Sequence, residues 1–488
     1  MAEPGWRIAV DRGGTFTDVV AYRGDLVRHV KVLSSGSGED PALAGIRNVL
    51  GLSRGATIDS GELDQVRLGT TVATNALLTR TGVKTVLVAT AGLGDLQIIG
   101  DQTRPDLFSL KIDRLPPVAS YVIEAHERLS VDGSVVQPLD EVQLRRDLHD
   151  AYDAGCKGVA VSLLHGWAYG RHEEQVARVA AEIGFEEIVT SEVNPLRGLV
   201  SRLDTVSLDA SLSPVVQDGM AETIAGLGDT HVLCMQSSGR LVDASAFRGC
   251  RAVLSGPAGG LVGAADEARR HGFDRVVAFD MGGTSTDVSW FSGEFERDTD
   301  TVIAGVRVRT PMLRIHTVAS GGGSICQVRG GRLRVGPESA GAKPGPACYR
   351  QGGPATITDC HVLLGRLPID AMPAIFGDGG DRSIDMAAST AVMEVLAAGQ
   401  TTAMETAEGF LDVAVECIAG AIREVSVQRG HDLRDAALCA FGGAGGQLAC
   451  RLADRLGMAA VLVPARAGVL SAQGIASADV GAVRRRSV

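Results

Sequence analysis

Two short stretches of this chain share residue types that suit phosphate binding. Residues 8–20 read IAVDRGGTFTDVV, and residues 277–289 read VAFDMGGTSTDVS. In each copy an apolar run ends at an aspartate, Asp11 or Asp280, and two glycines then allow backbone N–H groups to approach an anion closely. A threonine adds a hydroxyl donor. We therefore predict two phosphate-binding turns, formed by Gly13, Gly14, Thr15, Gly282, Gly283 and Thr284.

The residues after each glycine pair predict the local fold. A second β-like run begins at Asp18 in one copy and at Asp287 in the other, whereas dinucleotide-binding and Walker loops lead directly into a helix. Each motif is thus expected to form a β-hairpin. The alternative is a tight turn without a ligand, because Asp and Gly are favoured in turns for conformational reasons alone. The repeated threonine and the trailing Thr-Asp favour phosphate binding, since a turn requires neither.

Residues 68–77, LGTTVATNAL, predict a strand that leads into a helix stopped at Gly82. The start of a helix attracts anions through its free N–H groups and its dipole. Here it carries four polar side chains: Thr70, Thr71, Thr74 and Asn75. Helix capping would explain one of them but not all four, so a ligand contact is favoured.

Glycine-rich segments mark the second half of the chain. Residues 440–446, AFGGAGG, follow an apolar strand at 437–440 and precede a helix at 447–456. Gly442, Gly443 and Gly445 would let a base or ribose lie against the backbone, although a tight turn is the simpler reading of this segment alone. In residues 319–324 and 336–349, interleaved Pro, Cys and Tyr indicate an ordered backbone around a ligand or an interface rather than a flexible linker.

Helices and strands alternate around these motifs, which predicts an α/β fold. Asp40 and Pro41 indicate the start of a helix through residue 50, and residues 86–89 and 158–163 indicate buried strands. Amphipathic helices are expected at 140–155 and 171–184. The pattern loosens between residues 187 and 205, where we place a boundary. His172, Glu173 and Glu174 lack a second histidine at metal-binding spacing and indicate an exposed helix start, and His165 is read as structural.

Composition excludes several classes of protein. The 488 residues are 45% hydrophobic and 22% charged, enough for two or three well-packed domains, and the net charge of −11 argues against nucleic-acid binding. The nine cysteines are dispersed without a Cys-x-x-Cys pair, which favours reduced thiols. With neither an apolar signal sequence nor a membrane-spanning run, the expected location is cytoplasmic. The basic residues 484–486 are interpreted as a frayed, solvated tail.

Seven motifs in this order resemble the A-type half of the hydantoinase/5-oxoprolinase family, from about residue 7 to residue 479. They are DRGGTFTDVV, GTTVATNALL, VLSGPAGG, FDMGGTSTDVS, GGGSI, VGPESAGAKPGPACY and FGGAGGQLAC. The two glycine hairpins and the glycine turn at residues 440–446 resemble the phosphate-1, phosphate-2 and adenosine motifs of the actin, hexokinase and heat-shock chaperone ATPases. Arg12, FSGEFE and IFGDG lean toward the 5-oxoprolinase branch, and Arg104-Pro105-Asp106 looks more like the hydantoinase branch.

The resemblance implies an α/β, two-lobed, actin-like ATPase of the ribonuclease H-like type, with the nucleotide in the cleft between lobes. The lobes would be residues 1–200, with the phosphate-1 motif, and residues 201–488, with the phosphate-2 and adenosine motifs. Relatives generally continue beyond the segment at 476–480, so a C-terminal domain is expected to be missing or on another chain. A B-type subunit and an oligomer are the expected partners, with no nucleic acid and no membrane.

The family chemistry implies that ATP phosphorylates the amide oxygen of a lactam, 5-oxoproline, which is then hydrolysed to glutamate. Asp11 and Asp280 would bind Mg²⁺, and Asp287, with Asp18, would orient water or metal. The glycine turns, with Thr70 and Thr71, would bind phosphate, and Asn75 and Arg104 would bind substrate. Alternatives are ATP-dependent hydantoin hydrolysis, the ATPase part of a ketone carboxylase, a small-molecule kinase, and an ATP-binding regulatory module.

Overall fold

The computed structural model describes residues 4–35, 38–104, 107–112 and 116–487. Packing divides the chain into two compact units. Unit 1 comprises residues 1–258, 297–313 and 478–488, and unit 2 comprises residues 259–296 and 314–477. This division differs from the expected boundary at residue 200, because the chain after that point returns to the first sheet of unit 1 through the strand Val232–Met235.

The strands, in chain order, are β1 (Trp6–Arg12), β2 (Phe16–Arg23), β3 (Leu26–Leu33), β4 (Leu63–Thr70), β5 (Thr85–Thr90), β6 (Tyr121–Ala125), β7 (Arg128–Leu129), β8 (Val135–Gln137), β9 (Gly158–Ser162), β10 (Glu187–Val189), β11 (Val232–Met235), β12 (Leu241–Asp243), β13 (Arg275–Met281), β14 (Thr286–Ser292), β15 (Arg297–Asp298), β16 (Thr301–Ile303), β17 (Val306–Val308), β18 (Met312–Leu313), β19 (Ile315–Val318), β20 (Ser324–Arg329), β21 (Arg332–Ser339), β22 (Ala437–Phe441) and β23 (Ala460–Leu462). The α-helices are α1 (Pro41–Leu50), α2 (Val72–Thr79), α3 (Leu96–Ile99), α4 (Glu141–Asp153), α5 (Arg171–Ile183), α6 (Leu199–Gly226), α7 (Gly249–Ala252), α8 (Ser255–Arg270), α9 (Ile357–Leu363), α10 (Met386–Ala397), α11 (Ala403–Val425), α12 (Gly445–Leu456) and α13 (Leu470–Ser477).

The main sheet of unit 1 has six strands in the order β12-β11-β4-β1-β2-β3. β1 pairs antiparallel with β2 and parallel with β4, and β2 continues antiparallel to β3. One face of this sheet is buried against α1, α2 and the second half of α6, and Val19 and Ile46 belong to the same core cluster, whereas Phe16 of β2 and Leu26 and Leu33 of β3 are exposed. The antiparallel pairing of β1 with β2 confirms the hairpin predicted for residues 8–20, and β4 and β3 flank it in the sheet.

A second sheet of unit 1 is entirely parallel, in the order β10-β9-β5-β6. Every residue of β5 and β9 is buried, as expected for strands covered on both faces. α4 and α5 cover one face, where Leu148 and Val176 join the core, and α6 covers the other face with Val206. The strands and helices predicted between residues 86 and 184 are confirmed.

The main sheet of unit 2 has five strands in the order β19-β14-β13-β22-β23. β13 pairs antiparallel with β14 and parallel with β22, and β14 is antiparallel to β19. This arrangement repeats that of β3-β2-β1-β4-β11 in unit 1. The duplication seen in two short motifs thus extends to the whole strand order of two sheets. Phe410 and Ile418 of α11 and Leu448 of α12 pack in the core of this unit.

The sequence suggested that Gly82 stops α2, and this prediction was wrong. The helix ends at Thr79, and Arg80 adopts the left-handed conformation with φ of 55°. A Cβ on Gly82 would lie 2.1 Å from Ser211 Oγ, and the neighbouring Val83 N donates to Ser211 O at 3.0 Å. Gly82 is therefore needed for close packing against α6, a tertiary role that mimics a helix-stop signal.

The interpretation of residues 172–174 as an exposed helix start was wrong for two of the three residues. His172 is 3% exposed and Glu173 is 2% exposed. His172 Nδ1 lies 2.6 Å from Glu127 Oε2, and the Glu173 carboxylate accepts from Leu163 N and Ser191 N, each at 2.8 Å. These partners are distant in sequence, so helical periodicity alone does not reveal the burial.

The segment 478–487 is also better ordered than expected. Leu241 N donates to Asp479 O at 2.9 Å, Gly481 N donates to Leu241 O at 3.0 Å, and Ser487 N donates to Pro195 O at 3.3 Å. The segment therefore follows the surface of unit 1 instead of fraying, although the side chains of residues 484–486 are exposed. Backbone hydrogen bonds to unit 1 hold this segment in place, and its basic sequence does not predict these bonds.

The cysteines are free thiols, as predicted, with Cys417 and Cys450 exposed and the other seven buried. Within the ranges that the structure describes, none of the helices combines the length and apolar character needed to cross a bilayer.

Candidate functional site

The first glycine hairpin, residues 11–18, connects β1 to β2. Asp11 and Asp18 lie directly opposite each other in the register, and Gly13 N donates to Phe16 O at 3.0 Å to close the turn. A Cβ on Gly13 would lie 2.8 Å from that same carbonyl oxygen, so the turn requires a residue without a side chain. Gly14 and Thr15 are exposed at its tip. Their backbone N–H groups can therefore reach an anion.

The second glycine hairpin, residues 280–287, connects β13 to β14 with the same geometry. Asp280 lies opposite Asp287, and Gly282 N donates to Ser285 O at 3.0 Å. Gly283 and Thr284 are exposed at the tip, as are their counterparts in unit 1. The two sequence copies thus form the same structure, with an aspartate on each arm and exposed backbone donors at the tip.

The glycine-rich segment 319–324 packs directly on the second hairpin. Gly322 N donates to Gly282 O at 3.0 Å, and Gly323 N donates to Gly283 O at 2.7 Å. A Cβ on Gly321 would lie 2.8 Å from the carbonyl carbon of Gly283. The expectation of an ordered backbone is confirmed here. Glycine is needed because two main chains are in contact.

Gly442, in the predicted nucleoside turn, packs against the same hairpin. Its φ is +79°, and a Cβ there would lie 2.3 Å from Asp280 Oδ1 and 2.6 Å from Met281 O. Ala444 N donates to Met281 O at 2.8 Å. A Cβ on Gly443 would meet nothing within 4 Å, and Gly445 is the first residue of α12. The structure therefore brings the glycine turn after β22 next to Asp280.

Burial governs the carboxyl groups of both hairpins. It raises the pKa of Asp11 to about 7, with a further increase from the charge of Asp18 and an opposing effect from Lys31. Burial also raises the pKa of Asp18 and of Asp287. Asp11 Oδ1 is buried and has no hydrogen-bond partner among the described residues. The ionised form of Asp11 is thus poorly stabilised by the protein, and a cation at Oδ1 would stabilise it.

Sequence reasoning missed a pair of third-strand residues that accompany the second aspartate of each hairpin. Lys31 of β3 stands opposite Asp18 and forms an ion pair with it. Thr317 of β19 stands opposite Asp287 and donates to its Oδ1 at 2.5 Å. Both partners lower the pKa of the carboxyl that they contact, against the effect of burial. Their positions follow from register, which the sequence alone does not specify.

The start of α2 lies beside the first hairpin. Thr71 N and Oγ1 both donate to Arg12 O, at 3.1 and 3.2 Å. Asn75 is exposed, and a Cβ on Gly14 would lie 3.8 Å from its Nδ2. The glycine of the SGPAGG motif, Gly256 at the start of α8, also approaches: a Cβ there would lie 3.7 Å from Asp11 Oδ1. Two helix starts therefore accompany the hairpin in unit 1.

Three other candidate residues lie outside this group of contacts. Thr70 is 3% exposed, and its Oγ1 accepts from Val72 N at 3.2 Å. Thr74 Oγ1 donates to Val253 O, so both hydroxyls are used within the fold. Arg104 is exposed in the loop after α3, and the adjoining Pro105 and Asp106 lie outside the described residues.

The geometry fits Mg²⁺ better than a metal held by protein alone. In the parts of the chain that the structure describes, no three His, Cys, Asp or Glu side chains converge into a metal-binding group. Mg²⁺ commonly uses one or two carboxylates and takes its other ligands from water and phosphate oxygens. Asp11, with a buried and unpaired Oδ1, has the donor chemistry for this role.

Comparisons with known proteins place the whole chain in one family. The sequence profile of the Hydantoinase/oxoprolinase family matches residues 202–484, and that of the Hydantoinase/oxoprolinase N-terminal region matches residues 7–184. A 5-oxoprolinase of Saccharomyces cerevisiae is 38% identical over 97% of this chain, which covers 41% of the yeast protein. The chain thus spans about two fifths of the length of such relatives.

Bacterial relatives match over more of their length. Caprolactamase subunit alpha of Pseudomonas jessenii is 32% identical over 98% of this chain and 71% of its own length. The solved structure of that ATP-dependent caprolactamase superposes with a TM-score of 0.83, covering 97% of this chain and 71% of the other at 30% identity. A nucleotide-free acetone carboxylase superposes with a TM-score of 0.80 over 97% of this chain and 70% of the other. At 24% identity, this second likeness concerns the fold.

Proposed function

Because the chain belongs to the hydantoinase/oxoprolinase family, we propose that it binds ATP and Mg²⁺ and uses ATP to activate a cyclic amide for hydrolysis, with 5-oxoproline as substrate. The repeated glycine hairpin carries this proposal. Two turns with the same strand pairing and the same closing hydrogen bond expose backbone donors beside partly buried carboxyl groups, and one of them contacts a third glycine turn. An actin-like ATPase fold, in which each half contributes one such hairpin, accounts for the shared strand order of the two main sheets.

The proposed chemistry follows from the stability of an amide. Resonance makes the lactam carbon a poor electrophile, so its oxygen must become a better leaving group. That oxygen attacks the γ-phosphorus of ATP and ADP departs. Water then adds to the carbon, and the C–N bond opens with a proton taken up by nitrogen, which leaves an acyl phosphate. A second water hydrolyses the acyl phosphate to the carboxylate and free phosphate. Such a transfer depends mainly on alignment and charge stabilisation. Mg²⁺ would supply charge neutralisation on the phosphates.

Each residue role follows from its position. The exposed N–H groups of Gly14 and Thr15, and of their counterparts Gly283 and Thr284, bind phosphate oxygens. Gly13 and Gly282, whose own N–H groups close the turns, complete the two phosphate-binding turns. Asp11 in the first hairpin would bind Mg²⁺, and Asp280 has the equivalent position and role in the second hairpin. Asp287, oriented by Thr317, would position water or metal, as Asp18 would in its copy.

The remaining roles concern the nucleoside and the lactam. Gly442, Gly443 and Gly445 contact the nucleoside. Thr71 and Asn75, beside the first hairpin, contact phosphate and substrate. Arg104 meets the carboxylate of 5-oxoproline.

A second subunit belongs to this proposal. The relative from Pseudomonas jessenii is named as a subunit alpha, which implies an assembly for that protein. We infer that this chain also works with a B-type subunit, in a larger oligomer, and that the partner completes the hydrolysis. Another lactam is the second candidate substrate, because the caprolactamase is 30% identical over 97% of this chain.

The test is release of ADP by the purified chain with Mg²⁺ and ATP, with 5-oxoproline, caprolactam, hydantoin or no addition. Stimulation by 5-oxoproline, with glutamate formed when a B-type subunit is added, is the expected result. Stimulation by another cyclic amide alone would move the proposal to that substrate. A stable phosphorylated product would identify a kinase, and turnover that responds to a protein partner but to no lactam would identify a regulatory module.

A further inference from the structure

Unit 1 contains a cavity of about 720 Å³ that shares no lining residue with the first glycine hairpin. Its walls come from the loop after β9, at residues 166–170, and from the loop after β10, at residues 191–196. Residues 299 and 309–311 and the ordered segment 483–486 close it. All of these residues belong to unit 1, so the cavity is a feature of one compact body.

The cavity lies at the edge of the parallel sheet where α/β folds bind ligands. The two loops that line it both follow the carboxyl ends of parallel strands, β9 and β10. The sheet has the order β10-β9-β5-β6. After β5 the chain adds β6 on one side of β5, and it later adds β9 and then β10 on the other side. Strand order reverses between β5 and β9, one strand away from the cavity, and the cavity lies at the carboxyl-terminal edge of the sheet, where open α/β sheets bind ligands.

The lining is cationic, although the chain as a whole carries a net charge of −11. Two carboxylates line the cavity, those of Glu174 and Glu192. Five arginines line it as well: Arg251, Arg309, Arg484, Arg485 and Arg486. Arg309 pairs with Asp300 at 2.6 Å, whereas Arg251 forms no ion pair with any carboxylate that the structure describes. This local excess of positive charge favours an anionic ligand.

Two further lining residues indicate an organic ligand. Asn194 is 2% exposed, and neither its Oδ1 nor its Nδ2 has a hydrogen-bond partner among the described residues. A buried amide without partners is unfavourable, and a polar group bound in the cavity would satisfy it. Trp167 presents an aromatic surface, with the Arg197 guanidinium 4.9 Å from its ring centroid. Apolar surface beside convergent polar groups is typical of small-molecule sites.

We propose that this cavity binds a small organic anion, with its carboxylate or phosphate oxygens on Arg251 and Arg309 and its apolar part against Trp167. The site is separate from the glycine hairpin and does not depend on the proposed ATP chemistry. Its volume admits ligands up to about the size of a mononucleotide.

The test uses the full chain without nucleotide or Mg²⁺, titrated with citrate and separately with inorganic phosphate by isothermal titration calorimetry. Trp167 lines the cavity, while Trp6 and Trp290 are 4% and 3% exposed in the cores. Trp6 and Trp290 contribute a constant background, so a change in intrinsic fluorescence on binding reports on Trp167. The expected result is saturable one-to-one binding with a fluorescence change that Trp167→Phe removes. Citrate alone or phosphate alone would assign the anion as carboxylate or phosphate.

Substitutions locate the site. Arg251→Gln should weaken binding at least about tenfold, because it removes a charge-assisted hydrogen bond. Arg146→Gln, on the exposed side of α4, is the matched control and should leave affinity unchanged. If Arg251→Gln fails to fold, the double variant Arg484→Gln/Arg486→Gln changes exposed side chains of the same wall. Absence of saturable binding, or binding that survives both sets of substitutions, would overturn the proposal.

Discussion

Replacing Asp11 by asparagine should stabilise unit 1 at neutral and alkaline pH while it abolishes ATP turnover. Burial and the charge of Asp18 raise the pKa of Asp11 from 3.8 to about 7 in the folded chain. Below pH 3.8 the carboxyl is protonated in both the folded and the unfolded states. As the pH rises from there to about 7, the unfolded chain loses this proton first, so folding stability falls and then levels off. Asparagine has no proton to lose and avoids this penalty.

The size of the effect follows from the two pKa values. At about 1.4 kcal/mol for each pH unit, the interval from 3.8 to about 7 corresponds to about 4 kcal/mol at most. Part of that interval lies below pH 5, where other carboxyl groups also titrate. Between pH 5 and pH 8, we expect the free energy of unfolding of the wild-type chain to fall by about 2–3 kcal/mol relative to that of Asp11→Asn. Mg²⁺ must be absent, because a cation at Asp11 would remove the penalty.

The assay is urea unfolding of both proteins at pH 5, 6, 7 and 8, with ADP release measured on the same samples after addition of Mg²⁺ and ATP. Asp25→Asn is the matched control, since Asp25 is exposed in the turn between β2 and β3. This control should show little pH-dependent difference from wild type. The reasoning is refuted if Asp11→Asn follows the pH dependence of the wild-type chain, or if Asp25→Asn reproduces the same gain.

Three other perturbations test the site and the fold. Gly442→Ala should lower the free energy of unfolding in urea by about 2–4 kcal/mol, because φ is +79° and the new Cβ would lie 2.3 Å from a carboxylate oxygen of Asp280. The same variant should weaken ATP binding measured by calorimetry. Gly443→Ala, with no protein atom within 4 Å of the new Cβ, should keep the stability of the wild-type chain, so any loss of ATP binding in this variant would report on the nucleoside contact alone. Thr317→Val removes the hydroxyl that donates to Asp287 and should therefore raise the pKa of Asp287 further. The acidic limb of the pH–rate profile for ATP turnover should then move to higher pH. If the limb does not move, Asp287 is not the group that titrates in catalysis. Glu173→Gln should lower the free energy of unfolding in urea by about 1–3 kcal/mol with ATP turnover retained. Each carboxylate oxygen now accepts one backbone N–H, and the amide replaces one of these oxygens by an N–H₂ group that cannot accept. Unchanged stability would mean that this network is dispensable.

Local chemistry explains what could be predicted about the site. A glycine pair after an aspartate specifies a hairpin through backbone conformation, and both predicted hairpins are present with matching hydrogen bonds. Asp40 accepts from Ala42 N and Leu43 N at the predicted start of α1 for the same reason, since an N-cap acts within a few residues. Buried strands such as β5 also follow from composition, because continuous apolar runs must be covered on both faces.

The errors came from contacts between residues far apart in the chain. Gly82 resembles a helix stop, yet its smallness serves the approach to Ser211 of α6. His172 occupies a position typical of an exposed helix start, but the fold places Glu127 against it. Nothing in the local sequence reports either contact, since each depends on how separate elements pack.

Two related glycine hairpins in an α/β fold could be predicted from the residues alone, because turn geometry and apolar periodicity act over a few neighbouring residues. Tertiary structure decided what stands beside each hairpin: Lys31 and Thr317 through strand register, and Gly442 against Asp280 through the parallel pairing of β22 with β13. It also placed the arginines of residues 251 and 309 on one cavity wall. A charge or a close approach between distant residues exists only after sheets and helices have packed, so these features belong to the folded chain.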